Sequence, residues 1–159
     1  MLEKILNYCF AKSKQPVLFK DLLVANSRFN EGLQVDNIKL GYRIKIGRAY
    51  IVYLLYATLV ILPMALIAHA TFANLDSHAS ILASIVFTAT VFILFNFFKV
   101  WLKDRMASKV IEEAWLIHFP FFEYKEYKYK VEEVFQKAMK EEVVKKDLQR
   151  YVLDSLVEG

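Results

Sequence analysis

His69, Asp76 and His78 are the residues whose types could do chemistry in this 159-residue chain. Two imidazoles and a carboxylate are workable ligands for a divalent cation such as zinc. His69 precedes Asp76 by seven residues, about two helical turns, so the backbone does not forbid convergence. Asp76 and His78, however, belong to a short polar run, NLDSH at 74–78, between two long apolar stretches. Asn74 suits a helix C-terminus, and Asp76 or Ser77 suits the N-cap of a following helix. A metal site also needs partners that orient its ligands, and the sequence offers none around this run. The turn is the preferred reading. No catalytic, cofactor-binding or metal-binding residue is assigned, and no cofactor is expected.

The second candidate is Ser80, Ser84 and Thr88, spaced four apart on one helical face with Ala83 beside them. Such a stripe can line a pore in an oligomer, or it can let a neighbouring helix approach closely. Pairing positions about a turn at 75–76 sets Ala68 level with Ser84, Met64 with Thr88 and Tyr56 with Asn96. A close helix–helix seam is therefore expected, with a Tyr56–Asn96 contact across it. His118 beside Trp115 reads as packing, and so does Cys9, the single cysteine, in the apolar run from Ile5 to Phe10.

The elements around these residues are set by how charge is distributed. Residues 1–48 hold nine Lys or Arg and four Asp or Glu, residues 49–98 hold only Asp76, and residues 99–159 hold twelve of each sign. The apolar fraction of 57% and mean hydropathy of +0.30 are thus concentrated in the middle of the chain. Segments 49–72 and 79–102 are 24 residues each. A helix of that length reaches about 36 Å, enough to cross a hydrocarbon core of about 30 Å. The expected fold is mainly α and integral to a membrane. A two-helix transmembrane hairpin (49–102, turn 73–78) lies between an N-terminal segment (1–48) and C-terminal helices (103–159).

Orientation follows from Lys and Arg. Lys39, Arg43, Lys45 and Arg48 precede the first span, Lys99, Lys103, Arg105 and Lys109 end the second, and the connecting turn has none. Both termini are expected in the cytoplasm, with the chain in the inner (plasma) membrane. Tyr50, Tyr53, Tyr56, Phe95, Phe97, Phe98 and Trp101 gather at the same end, where amphipathic rings settle. A secretory signal is not expected, because no apolar h-region or small-residue cleavage site follows Lys4. Pro63, in mid-span, leaves the Leu59 carbonyl without its usual donor and predicts a kink.

In the flanks, Leu2, Ile5, Leu6, Cys9 and Phe10 share one face and predict an amphipathic helix over 1–12. A second short helix is expected over 17–25, followed by a turn-rich connector at 26–32. From 37 to 47, Ile38, Leu40, Tyr42, Ile44 and Ile46 alternate with Lys39, Gly41, Arg43, Lys45 and Gly47. That period of two predicts a strand, paired with Leu33 and Val35 in a hairpin over 33–46. C-terminal helices are expected over about 103–118 and 123–157.

Several functions lack their residues. No glycine-rich phosphate loop, HExxH motif or nucleophile–base pair is present, and only four glycines occur. The pI of about 9.0 comes from the N-terminal flank, which has no nucleic-acid motif. The expectation is a non-catalytic accessory, assembly or anchoring subunit that touches membrane lipid and partner proteins. The alternative is a homo-oligomeric channel or pore. Neither involves nucleic acid.

Overall fold

The computed structural model describes the backbone of residues 1–72 and 77–158, and all side chains there except those of 65, 66, 68–72, 77–80 and 158. It is mainly helical, with a small two-stranded sheet. In chain order the elements are α1 (Leu2–Cys9), β1 (Phe10–Lys12), α2 (Phe19–Asn30), β2 (Tyr42–Ile44), α3 (Ile46–Phe72), α4 (Ser77–His118), α5 (Tyr124–Lys140) and α6 (Leu148–Glu158). They divide into two compact units, one formed by Met1–Ala11 and Ile44–Lys103, the other by Lys12–Arg43 and Asp104–Gly159.

The first unit contains α3 and most of the apolar part of α4. At 27 and 42 residues these helices are about 40 and 63 Å long. Both are long and apolar enough to cross a membrane. None of the most apolar window of α4 is buried by protein. Helix α3 continues through Pro63. Where α3 and α4 do meet, aromatic rings make the contact. Tyr50 and Tyr53 lie 5.1 and 5.4 Å from Phe95, and Tyr53 lies 5.5 Å from Phe98. The Tyr53 hydroxyl donates to the Val91 carbonyl at 2.7 Å. The expected Tyr56–Asn96 contact is not formed: Tyr56 Oη lies 3.7 Å from Met1 Sδ, while Asn96 Oδ1 accepts from Lys99 Nζ at 3.1 Å. Helix α1 packs against α3 and turns Leu6 and Cys9 inward.

The second unit buries its apolar residues conventionally. Val131, Phe135 and Ala138 of α5 and Leu148, Val152 and Leu156 of α6 are all buried. The single helix expected over 123–157 is instead a helical hairpin. Glu141 and Glu142 interrupt the apolar stripe, Glu142 takes a positive φ of 53°, and the chain reverses so that α6 packs on α5. Helix α2 runs five residues beyond its expected end, through the turn-type residues Asn26, Ser27 and Asn30. Those residues bond to α5 rather than to their own backbone. Asn26 Nδ2 donates to the Lys128 carbonyl at 2.8 Å, Ser27 Oγ bonds Glu132 at 3.2 Å, and Asn30 Nδ2 donates to Glu132 at 2.8 Å.

The strand expectation is corrected in extent and in partner. Asp36 Oδ1 accepts from the backbone N–H of Ile38 and Lys39, and Gly41 N–H donates to the Ile38 carbonyl, so 36–41 is a turn. Gly41 has a φ of +70°, and a Cβ there would lie 3.2 Å from Ser13 Cβ. Ile38 is accordingly 81% exposed while Leu40 and Tyr42 are buried, which breaks the alternation. Only Tyr42–Ile44 forms a strand, and it pairs with Phe10–Lys12 rather than with 33–35. Bonds from Ser13 N–H to the Gly41 carbonyl and from Lys45 N–H to the Cys9 carbonyl flank the pair in antiparallel register. Helix α1 therefore ends at Cys9 rather than running to residue 12.

Candidate functional site

Three places on the molecule carry the residues singled out by type and spacing. On α4, Ser84 and Thr88 share an exposed face with Ile81, Ile85, Ala89 and Phe92, which together line an open groove. The seam expected here is thus not closed at Ser84 and Thr88. The Thr88 hydroxyl donates to the Ser84 carbonyl at 2.8 Å, and Thr90 does the same to Val86. The Thr88 hydroxyl thus satisfies itself on its own helix, and the face it shares with Ile81, Ile85 and Phe92 is largely apolar. The side chains of His69, His78 and Ser80, and all of Asp76, lie outside the described residues. Among the described residues no three His, Cys, Asp or Glu side chains converge on a metal-sized site.

The second place is the polar end of the first unit. Phe98 and Trp101 of α4, 5.8 Å apart, line an open groove of about 580 Å³ with Tyr56 of α3, Leu2 and Ile5 of α1, and Met1 just before α1. Arg48 lies 5.0 Å above the Tyr8 ring and donates to the Tyr8 carbonyl at 3.5 Å, so a cation is clamped onto α1. Cys9 is fully buried, and burial pushes its thiol up, with Arg48 offsetting part of the rise. A protonated, enclosed thiol is a packing group rather than a nucleophile.

The third place is the polar seam of the second unit. His118 Nε2 donates to the Val17 carbonyl at 2.8 Å, and its ring lies edge-on to Phe19 at 5.5 Å. His118 thereby holds the start of α2 to the end of α4. Trp115 stacks on Phe119 at 4.4 Å and donates through Nε1 to the Phe122 carbonyl at 2.7 Å. Tyr42 and Tyr124 are each pushed up to about 12. Burial is the main cause for both. Asp104 and Asp36 add to it for Tyr42, and Glu112 and Tyr129 for Tyr124. Among the described residues the Tyr124 hydroxyl and the Oδ1 atoms of Asn26 and Asn30 are buried without a hydrogen-bond partner.

No family model, curated protein or solved structure matches the chain.

Sequence pattern located the residues of the first place and missed the groove at the second. Its aromatics were legible as an interfacial belt, and α1 was legible as amphipathic. Their meeting was not, because it depends on the reversal of chain direction through β1 and β2. Asn26 was also missed. Among turn-forming neighbours it gives no sign of being fully buried at a helix–helix contact.

Proposed function

We propose that the chain is a non-catalytic integral membrane protein whose α3 and α4 cross the inner (plasma) membrane as a hairpin. Both termini lie in the cytoplasm. The second unit serves there as an accessory or anchoring module for partner proteins.

One observation carries this reading. Leu59, Val60, Ile67, Leu82, Val86, Ile93 and Phe97 are each more than half exposed, and residues 49–98 hold no charge but Asp76. Uncovered apolar surface of that extent is unfavourable in water and is the normal state of a helix in lipid. The asymmetry of Lys and Arg supports the orientation. Docking by the second unit is supported by Leu116, Ile117 and Phe121, exposed at 72%, 65% and 91% within six residues. Leu18 is also exposed and adjoins Val17, which His118 holds.

The test places single cysteines at Leu18 and Val157 in a Cys9→Ser background. An impermeant maleimide should label both from the cytoplasmic face and neither from the opposite face. Labelling from opposite faces would overturn the hairpin. In mild detergent the native chain should elute with a defined heteromeric partner, and a lone monomer would overturn the anchoring role.

A second reading has one observation in its favour. Ser84 and Thr88 lie on an exposed face, as a homo-oligomeric channel lined by Ser80, Ser84 and Thr88 requires. It predicts single-channel currents in planar bilayers, and silence there removes it.

A further inference from the structure

The chain reverses between α5 and α6 without the residues that usually make a reversal. Residues 141–147 read Glu-Glu-Val-Val-Lys-Lys-Asp, with no Gly, Pro, Asn or Ser. The end of α5 is nonetheless fully capped. Val143 N–H donates to the Ala138 carbonyl at 3.0 Å, and Glu142 N–H donates to the Met139 carbonyl at 3.4 Å. That closure needs a left-handed residue, and Glu142 supplies it at a φ of 53° where glycine is the usual choice. Among the described non-glycine residues it alone has a positive φ. Glu141 and Glu142 also place two carboxylates at the C-terminal end of α5, the negative end of its dipole. The same seven residues suit a helix. Glu141 with Lys145, and Glu142 with Lys146, stand four apart in the favourable order. The hinge is folded against its own preference.

We propose that α6 exchanges between two copies of this chain, with 141–147 straightening so that α5 and α6 become one helix. Straightening relieves Glu142 but uncovers Leu148, Val152 and Leu156, which are buried in the single chain, where α6 packs on α5 and α2. The surface that fits them is the one they leave, and a second copy carries the same surface. Hinges under strain favour this kind of exchange. The sequence of the straightened helix fits it as well. Val131, Ala138 and Val152 are spaced by multiples of seven, and Phe135, Leu148 and Leu156 flank that seam. Two such helices, antiparallel and crossing near residue 143, set Glu141 and Glu142 of one copy opposite Lys145 and Lys146 of the other. A different protein would have to reproduce both the apolar seam and this order of charges. The proposal does not depend on α3 and α4 crossing a membrane.

Tyr129 on α5 and Val157 on α6 are exposed, at 60% and 77%, and can carry spin labels as Tyr129→Cys and Val157→Cys in a Cys9→Ser background. Each lies 14 residues from Val143, so in the hairpin they sit at the same end. Packed helices lie about 8–10 Å apart, axis to axis. On one straight helix the 28 residues between the labels span about 42 Å. The full chain is labelled, diluted with unlabelled chain in detergent micelles so that only distances within one chain are read, and its native mass is followed as protein concentration rises. The monomer is expected to show the short distance and the dimer the distance near 42 Å. Glu142→Gly relaxes the left-handed residue and weakens the straight helix. It should raise the concentration at which half the chain is dimeric by about tenfold or more. The short distance alone at every concentration overturns the proposal. So does a dimer that keeps the short distance, since closed chains would then be in contact without exchange. A long distance in the monomer overturns it too, because the hinge would open with no second copy to receive α6. A dimer as stable in Glu142→Gly as in the native chain removes the hinge as its cause and overturns the proposal as well.

Discussion

Phe97 and Trp115 lie on the same helix, α4, and 18 residues is five full turns, so they point the same way. Yet Phe97 is 68% exposed and Trp115 is 1% exposed. The same holds five residues earlier, where Phe92 is 57% exposed and Val110 is 1% exposed. The helix itself does not differ between these pairs; what surrounds it does. Around Trp115 the second unit supplies Phe119, Tyr124 and the Phe122 carbonyl. Around Phe97 the first unit leaves most large apolar residues open. One helix thus has an exposed apolar part and a part packed within the second unit, and its composition changes accordingly. Residues 81–98 carry no Asp, Glu, Lys or Arg, whereas 103–113 mix Lys103, Asp104, Arg105, Lys109, Glu112 and Glu113 among buried apolar positions.

The comparison can be broken at either end of α4. Trp115→Ala should produce the largest effect, a loss of about 3–5 kcal/mol from the second unit through the cavity it leaves. Denaturant titration in micelles, followed by limited proteolysis, should show the second unit cleaved while the spans remain protected. Equal loss from both units would mean that they do not fold separately. Ile93→Arg comes next. A charge on the exposed face near the middle of the span should cost about 2.5–3.5 kcal/mol of insertion. Carbonate extraction should release part of this variant, and Tyr129→Arg, at an exposed position of the second unit, should behave as wild type. If the two behave alike, the exposed face of α4 does not face lipid.

The smallest effect sharpens the comparison from within the second unit. Tyr124→Phe removes a buried hydroxyl that has no partner, so stability should hold or rise by up to about 1 kcal/mol. The same substitution tests the titration. A phenol held near 12 in the folded chain and near 10 in the unfolded chain keeps its proton longer when folded. Stability should be independent of this group below pH 10 and should fall as pH rises from 10 toward 12. Tyr124→Phe and Tyr42→Phe should each flatten that fall. A decline of unchanged steepness in both variants would assign it to other groups.

The apolar helices were legible in the sequence because their signal is local. An uninterrupted run of apolar residues needs no partner to be read, and α3 and α4 begin within three residues of the segments expected at 49–72 and 79–102. The amphipathic character of α1 and a helix ending at 118 were legible for the same reason. Function beyond two helices apolar enough to cross a membrane was not, since no residue constellation of known chemistry is evident and the polar turn at 74–78 reads first as a cap.

What the tertiary structure decided are the features that depend on residues far apart in the chain. The strand at 42–44 found its partner at 10–12 because the Asp36 turn and Gly41 bend the chain away from 33–35. The helix expected at 123–157 became a hairpin because two half-stripes bury more apolar surface against each other than one exposed stripe can. Asn26 became buried because α5 offered it a carbonyl. Sequence patterning sets which faces are apolar. The choice of what covers each face is made by pairings across a hundred residues, and no local pattern contains them.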